Sequence, residues 1–524
     1  MFSTLIRRAL PAFFATALVA CGGGGSNDDN GSGVTPTPQP PVATPTASIA
    51  LAPATLNIVA GTNSSSILTL TRGGGFAGAV SIAASGAPSG VTVASPAIAA
   101  SGATSTVTVT VATSAAAGPS TVTFVATGTG VTIAPVTLAL TVTAAPAGVT
   151  PIGEGILGEA AYDESGHVVA LSADGSRVAI GAWLNDGANG TDSGHVRVYQ
   201  KSGTTWTQLG GDIDGQAAND RFGTSLAMSA DGSRVVVGAY LHGAGFTAAG
   251  QVRVYELVSG AWTPIGTAID GGFSQGLGYA VSMSANGRRI LVGVPGVNNT
   301  NGYARVYEQS GSDWVALGSV LAESGWDFGQ ALDMSDDGNR IAIGAPSGNG
   351  TSRPGTTYVY QWNGTVWAAL GAPIVGEAFG DFAGAAVSLS SDGSRVAIGA
   401  PSNKGGDPAG LLATGQVRVY ALNGTTWSQL GADIDGKLPA NPDRFGESVA
   451  LSGDGNRLIA STFQNAAARV YTYTGGAWVQ IGADLTGAPA LGVAMSTDGK
   501  TAAVGFIYFP PSATGKTQVY SVTP

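Results

Sequence analysis

A tight-turn dipeptide recurs seven times in the C-terminal part of the chain, and this repetition constrains the fold more than any other feature. Asp174-Gly175, Asp231-Gly232, Asn286-Gly287, Asp337-Gly338, Asp392-Gly393, Asp454-Gly455 and Asp498-Gly499 are spaced 44 to 62 residues apart. That spacing is the propeller-blade range of about 40 to 50 residues plus loop insertions. Each dipeptide sits between apolar runs and predicts a tight hairpin. A strand such as Arg234–Gly238 follows it, then a variable loop, then a strand ending in Tyr199, Tyr255, Tyr307, Tyr360, Tyr420, Tyr471 or Tyr520. A further short turn leads to a strand marked by Trp206, Trp262, Trp314, Trp367, Trp427 or Trp478. The first three strands therefore have seven copies and the fourth has six. Thr150-Pro151-Ile152-Gly153 repeats Thr263-Pro264-Ile265-Gly266 letter for letter and supplies the missing one. The register predicts an all-β, seven-bladed propeller whose last blade is closed by residues 148–157, which protects an otherwise open strand edge.

Within these repeats Phe222-Gly223, Phe328-Gly329 and Phe445-Gly446, with Gly344-Ala345-Pro346 and Gly399-Ala400-Pro401, resemble FG-GAP repeats, the blade unit of integrin-α-type seven-bladed propellers. The resemblance implies a calcium loop of the form D-x-D-x-D-G. Here the loop is reduced to Ser-Ala-Asp-Gly and its variants, so calcium at the turns is not carried over.

Upstream of the repeats, composition changes twice. Arg7 and Arg8 precede a short apolar run, Ala9–Ala17, and Leu18-Val19-Ala20-Cys21 follows. An h-region too short to span a bilayer reads as an export signal over residues 1–20. Its ending resembles a bacterial lipobox, which implies acylation of Cys21, the single cysteine, and a membrane partner through the lipid. Nothing in Gly22–Gly25 resembles an inner-membrane retention signal, so the expected location is the bacterial outer membrane, facing outward. Residues 21–46 are rich in Gly, then Pro and Thr, and read as a tether. Residues 47–145 carry period-two runs such as Ser105–Ala112 and Val136–Thr143, about seven strands in the rhythm of a β-sandwich. This segment resembles the Ig-like modules of bacterial surface proteins. The repeat region is taken as residues 146–524.

Charge excludes one class of partner. A net charge of −10, with no basic run beyond the N-terminus, argues against nucleic acid. The chain is expected to be a monomer. No G-x-S-x-G, H-E-x-x-H or phosphate-binding Gly loop is present.

Function is expected on the face that carries the long variable loops, because rigid scaffolds present variable loops for binding. Three sets of residues lie there. Carboxylates recur after the fourth strand, at Glu159, Asp214, Asp270, Glu323, Glu377 and Asp435. Others recur before the first strand, at Asp163, Asp220, Asp327, Asp381 and Asp443. Oxygen pairs such as Asp214 with Asp220, or Asp435 with Asp443, suit calcium. The competing reading is that they cap turns and bond backbone amides between blades. The third set follows the Gly of each Phe-Gly position: His167, Thr224, Tyr279, Gln330, Ala385 and Glu447. A variable residue at an equivalent place around a ring makes an asymmetric pocket, or else a solvated channel lining. Trp183, Tyr240 and Phe246 in the loops offer stacking surfaces for sugars or a protein. His195 and His242 show no partner in the sequence. The Trp and Tyr series read as packing between blades.

These features suggest a non-enzymatic, surface-displayed lipoprotein that binds a protein or glycan. The alternatives are a propeller enzyme acting on glycans with His167, Tyr279 and Glu447, or an envelope-assembly scaffold.

Overall fold

The computed structural model describes residues 43–112, 115–143, 148–243, 248–273, 275–296, 301–323, 327–347, 354–407, 411–437, 443–463, 467–508 and 513–523. Cys21, the export signal, most of the tether and Phe246 lie outside them. The chain divides into two compact units, Met1–Thr143 and Ala144–Pro524.

The first unit holds two four-stranded sheets. One runs in the order Thr46–Ala52, Asn63–Gly73, Thr104–Val111, Val91–Ala94, and the other in the order Thr55–Val59, Val136–Thr143, Gly118–Gly128, Val80–Ser85. Alternation in the sequence becomes alternation in burial. In Thr104–Val111 the valines are buried, while Thr104, Thr106 and Thr110 are exposed. Leu68, Val107, Val109, Val122, Phe124 and Leu138 are fully buried.

The second unit is a β-propeller built of seven antiparallel sheets. The second sheet shows the pattern: Ser225–Met228, Arg234–Ala239, Gln251–Val258 and Ala261–Pro264 pair in sequence order, and Ile269–Asp270 adds to the third strand. The seventh sheet takes its outer strands from the start of the unit. Gly148–Pro151 pairs with the end of Lys516–Thr523, Val149 opposite Val522, and Ile156 pairs with Thr517. The register of the repeats had predicted this pairing.

Two kinds of bond hold the sheets together at the turn end. A closed loop of backbone hydrogen bonds passes from Ala173 to Ala230, Ala285, Asp336, Ser391, Gly453 and Thr497, and Thr497 donates back to Ala173. Around it, the arginine that opens each second strand donates to the turn of the next sheet. Arg177 reaches Gly232 O (3.0 Å), Arg289 reaches Gly338 O (3.1 Å) and Arg457 reaches Gly499 O (2.7 Å). Thr501 takes the arginine's place in the seventh sheet and lies against Gly175.

The tryptophans bond across the same seams. The indole Nε1 groups of Trp262, Trp314, Trp367, Trp427 and Trp478 donate to the carbonyls of Leu209, Ile265, Leu317, Leu370 and Leu430 at 2.7 to 3.0 Å. Trp206, at the seam between the seventh and first sheets, has a buried Nε1 with no partner. The closing seam therefore lacks both the arginine and the indole bond.

The turn acids have a structural role. Ser172 Oγ and Ser176 N donate to Asp174 Oδ1 at 2.7 and 2.9 Å, and the same Ser–Asp pair recurs at Ser229–Asp231, Ser390–Asp392 and Ser452–Asp454. Burial raises the Asp174 pKa, but these donors outweigh it and hold the carboxyl below its usual value. Gly175 sits at φ 66°, the left-handed region that an Asp-Gly hairpin requires.

Candidate functional site

The six variable positions predicted from sequence meet in one cavity. His167, Thr224, Tyr279, Gln330, Ala385 and Glu447, each from a different sheet, line a space of about 400 Å³, with Leu491 at the seventh position. Leu491 was missed because its Phe-Gly signal is absent. Local geometry explains the convergence. Gly223 adopts φ 89°, and a Cβ there would lie 2.7 Å from His195 O. Glycine at this point lets the chain double back and carries the next residue to the mouth of the channel.

The same turn presents a second side chain that the sequence reading did not single out. Glu164, Arg221, Phe382 and Arg444, three residues before the variable position, have φ between 51° and 58°. In three of these turns the backbone bonds back across the gap, His167 N to Glu164 O, Thr224 N to Arg221 O and Ala385 N to Phe382 O, at 3.0 to 3.2 Å. Left-handed non-glycine residues cost on the order of 1–2 kcal/mol each, and such strain gathers at functional sites.

These turn pairs produce two ionisable couples. In the first, Glu164 is buried and accepts from Trp183 Nε1 (2.8 Å) and from the Tyr508 hydroxyl, and its Oε2 lies 3.4 Å from His167 Nδ1. Burial raises its pKa, but the nearby His167 and the bonds from Tyr508 and Trp183 outweigh it and leave the carboxyl below its ordinary value. In the second, Arg444 Nε donates to Glu447 Oε1 at 2.8 Å. Here burial prevails over the opposing Arg444 charge, and the Glu447 carboxyl is pushed up. One mouth thus carries one carboxyl shifted down and another shifted up.

The loop aromatics join the same site. His167 stacks on Trp183 (4.7 Å between centroids), Trp183 on Tyr240 (6.3 Å), and Tyr240 meets Tyr279 edge-on (5.6 Å). Arg221 lies over Trp183 at 5.3 Å and pairs with Asp192 at 3.1 Å. Residues drawn from two separate sequence sets form one continuous aromatic wall.

Most of the acids considered for calcium bond to amides, other side-chain donors or a guanidinium, as the turn-capping reading expects. Asp220 Oδ2 accepts from Gln216 N, Ala217 N and His242 Nδ1 at 2.8 to 3.1 Å, so His242 does have a partner. Asp443 accepts from Lys437 N and pairs with Arg469 at 2.6 Å, so a guanidinium holds the place of a cation. Asp163 and Asp381 each accept from a backbone amide and from Asn185 or Asn403. Asp327 accepts from Ser347 N. In the other set, Asp270 and Asp435 accept from Gln251 and Gln416, Glu323 from Tyr360, and Glu377 from Asn403 and Gln416. Asp214 lies in the strand edge opposite His195, where burial and then Asp212 raise its pKa.

No family model matches the chain, and no curated protein sequence matches it. Solved structures do resemble it. A periplasmic gluconolactonase of Pseudomonas aeruginosa is 15% identical over 65% of this chain and 98% of its own, with a TM-score of 0.44. A Bacteroides uniformis protein with a provisional assignment as a 6-phosphogluconolactonase is 14% identical over 66% and 96%, with a TM-score of 0.46. TolB from Acinetobacter baumannii is 15% identical over 67% and 65%, with a TM-score of 0.36. The expectation of a non-enzyme rested on the lack of a familiar catalytic motif. It is corrected here: the lack of a motif does not exclude an enzyme, and proteins described as lactonases are among the solved structures that resemble the chain.

Proposed function

We propose that the chain is a seven-bladed propeller enzyme that hydrolyses a carbohydrate substrate at the mouth of its channel. The observation that carries this reading is that His167 and Glu447 line one cavity, with Glu164 beside His167 and Arg444 paired with Glu447. Titratable groups whose environments push their pKa values apart are the signature of an acid and a base working together. The His167 imidazole, backed at Nδ1 by the Glu164 carboxylate, takes a proton from water. The resulting hydroxide attacks the electrophilic carbon as its bond to the leaving oxygen breaks, and Glu447, whose carboxyl burial pushes up, acts as the acid that gives that oxygen a proton. The wall of Trp183, Tyr240 and Tyr279 offers faces on which a sugar ring stacks. About 400 Å³ lies in the range of small-molecule sites.

This replaces adhesion as the leading reading. The FG-GAP-like blades, an Ig-like sandwich at residues 47–145, and outer-membrane anchorage through Cys21 remain part of the proposal. The test is turnover of a panel of chromogenic glycosides and sugar lactones. His167→Ala and Glu447→Gln should each lower kcat by roughly 10²–10⁴-fold with unchanged circular dichroism. Turnover that both variants retain in full overturns the assignment.

A further inference from the structure

A second cluster lies apart from the channel mouth. Glu159, His195 and Asp212 each bring one ligand atom within 4.8 Å of the others. Glu159 follows the closing strand pair Ile156–Leu157, while His195 opens the third strand of the first sheet and Asp212 precedes its short outer strand. The cluster therefore spans the seam that lacks both the arginine and the indole bond.

The equivalent place in the fifth sheet shows what the first has changed. There Gln416 Nε2 donates to Glu377 Oε2 (3.2 Å) and Asp435 Oδ1 (3.1 Å), so one amide group with two hydrogens joins two carboxylates. In the first sheet this position is His195. A neutral imidazole has one N–H and cannot bridge two acids in that way. Its side chain is 2% exposed, makes no hydrogen bond, and lies with Nδ1 3.8 Å from Glu159 Oε2. Arg197 occupies Glu159 Oε1 and Gln208 donates to Asp212 Oδ1, and each carboxylate retains its second oxygen.

We propose that Glu159, His195 and Asp212 form a binding site for a divalent first-row transition cation of the zinc type, which ties the closing segment to the first sheet. One imidazole nitrogen with two carboxylate oxygens and a water makes a four-coordinate set that zinc accepts, whereas a hard cation such as calcium takes oxygen ligands alone. Bound metal adds a tie between the closing segment and the first sheet beside the Arg197 bonds to Glu159 and to Leu157 O. It stabilises the closed unit by mass action, because the unfolded chain does not hold the three ligands together.

The test is titration of EDTA-treated, dialysed full-length protein with ZnCl₂ by calorimetry, with thermal unfolding in parallel. One equivalent should bind and raise Tm, and CaCl₂ at the same concentration should do neither. His195→Gln installs the residue that other sheets carry there, so it should fold. It should weaken zinc binding at least tenfold and abolish the rise in Tm, and Glu159→Gln should act in the same direction. His167→Ala should bind zinc as the parent does. Absence of stoichiometric uptake, unchanged affinity in His195→Gln, or loss of binding in His167→Ala instead would overturn the site.

Discussion

Replacing Asp443 by alanine tests whether a guanidinium or a metal cation neutralises the acids of the loop face. Asp443 and Arg469 are 1% and 2% exposed, and their closest oxygen and nitrogen are 2.6 Å apart. Removing one partner of such a pair leaves a buried charge uncompensated, a loss of about 3–5 kcal/mol. Arg469 keeps a second partner, Asp484 at 3.1 Å, and rests over the Phe445 ring at 5.3 Å, so the lower end applies. With an unfolding entropy of roughly 2.1 cal/mol/K per residue over a unit of this length, about 3 kcal/mol corresponds to a Tm lower by roughly 4 °C. Removing both partners in Asp443→Ala/Arg469→Met should recover most of that loss, because an apolar replacement costs less than a stranded ion. The assay is thermal and urea unfolding of the parent and the two variants, with EDTA and with calcium. If EDTA lowers the parent Tm as far as the mutation does, and calcium restores it, the acid binds calcium and the argument fails. A loss of under about 1 kcal/mol would show equally that the pair is not the buried ion pair described here.

Two further predictions concern the mouth and the seams. Burial raises the Glu447 pKa and Arg444 opposes it, so catalysis that needs the protonated acid should fall as pH rises through that raised pKa. Arg444→Met should move this limb of the kcat profile to higher pH, and a shift to lower pH would refute the assignment. A raised carboxyl pKa also contributes stability that is complete below the unfolded value and is lost as pH rises through the folded one. Glu447→Gln should flatten that part of the stability–pH curve. At the seams, Trp478→Phe should cost roughly 1 kcal/mol more than Trp206→Phe in urea unfolding, because only the Trp478 indole donates a bond that is then lost. Equal costs would show that the indole bonds do not hold the sheets together.

What could be read from the sequence follows from what repetition records. A turn that recurs in register fixes which strands pair, and the copied Thr150–Gly153 segment marks the partner of Lys516–Thr523. Repetition also exposed the variable residue after each glycine, because a difference at an equivalent place stands out against copies that agree. It could not expose Glu164 or Arg444. Each directly follows the recurring acid, at Asp163 and Asp443, but the residue there changes from copy to copy, and its role depends on a left-handed turn that the side chains do not announce. The contact from Glu164 to Tyr508 joins the first sheet to the last and has no local signal. His195 is the opposite case. It could be seen as a substitution for Gln251 and Gln416, but its meaning required knowing that those glutamines donate to carboxylates.

The same reasoning distinguishes the two places where this chain departs from its own pattern. At the mouth every sheet contributes a different residue, and the departure is spread around the ring. At the closing seam two departures share one junction: Thr501 stands for an arginine, and Trp206 Nε1 has no acceptor among the described residues. Other contacts cross it, among them Arg197 to Glu159 and to Leu157 O. The last two turns of the chain reach back to the first sheet through Glu164–Tyr508 and through the backbone bond from Thr497 to Ala173. The Glu164 carboxylate beside His167 is therefore also a tie across the closing seam, so a change that loosens closure should disturb the imidazole before it unfolds the unit.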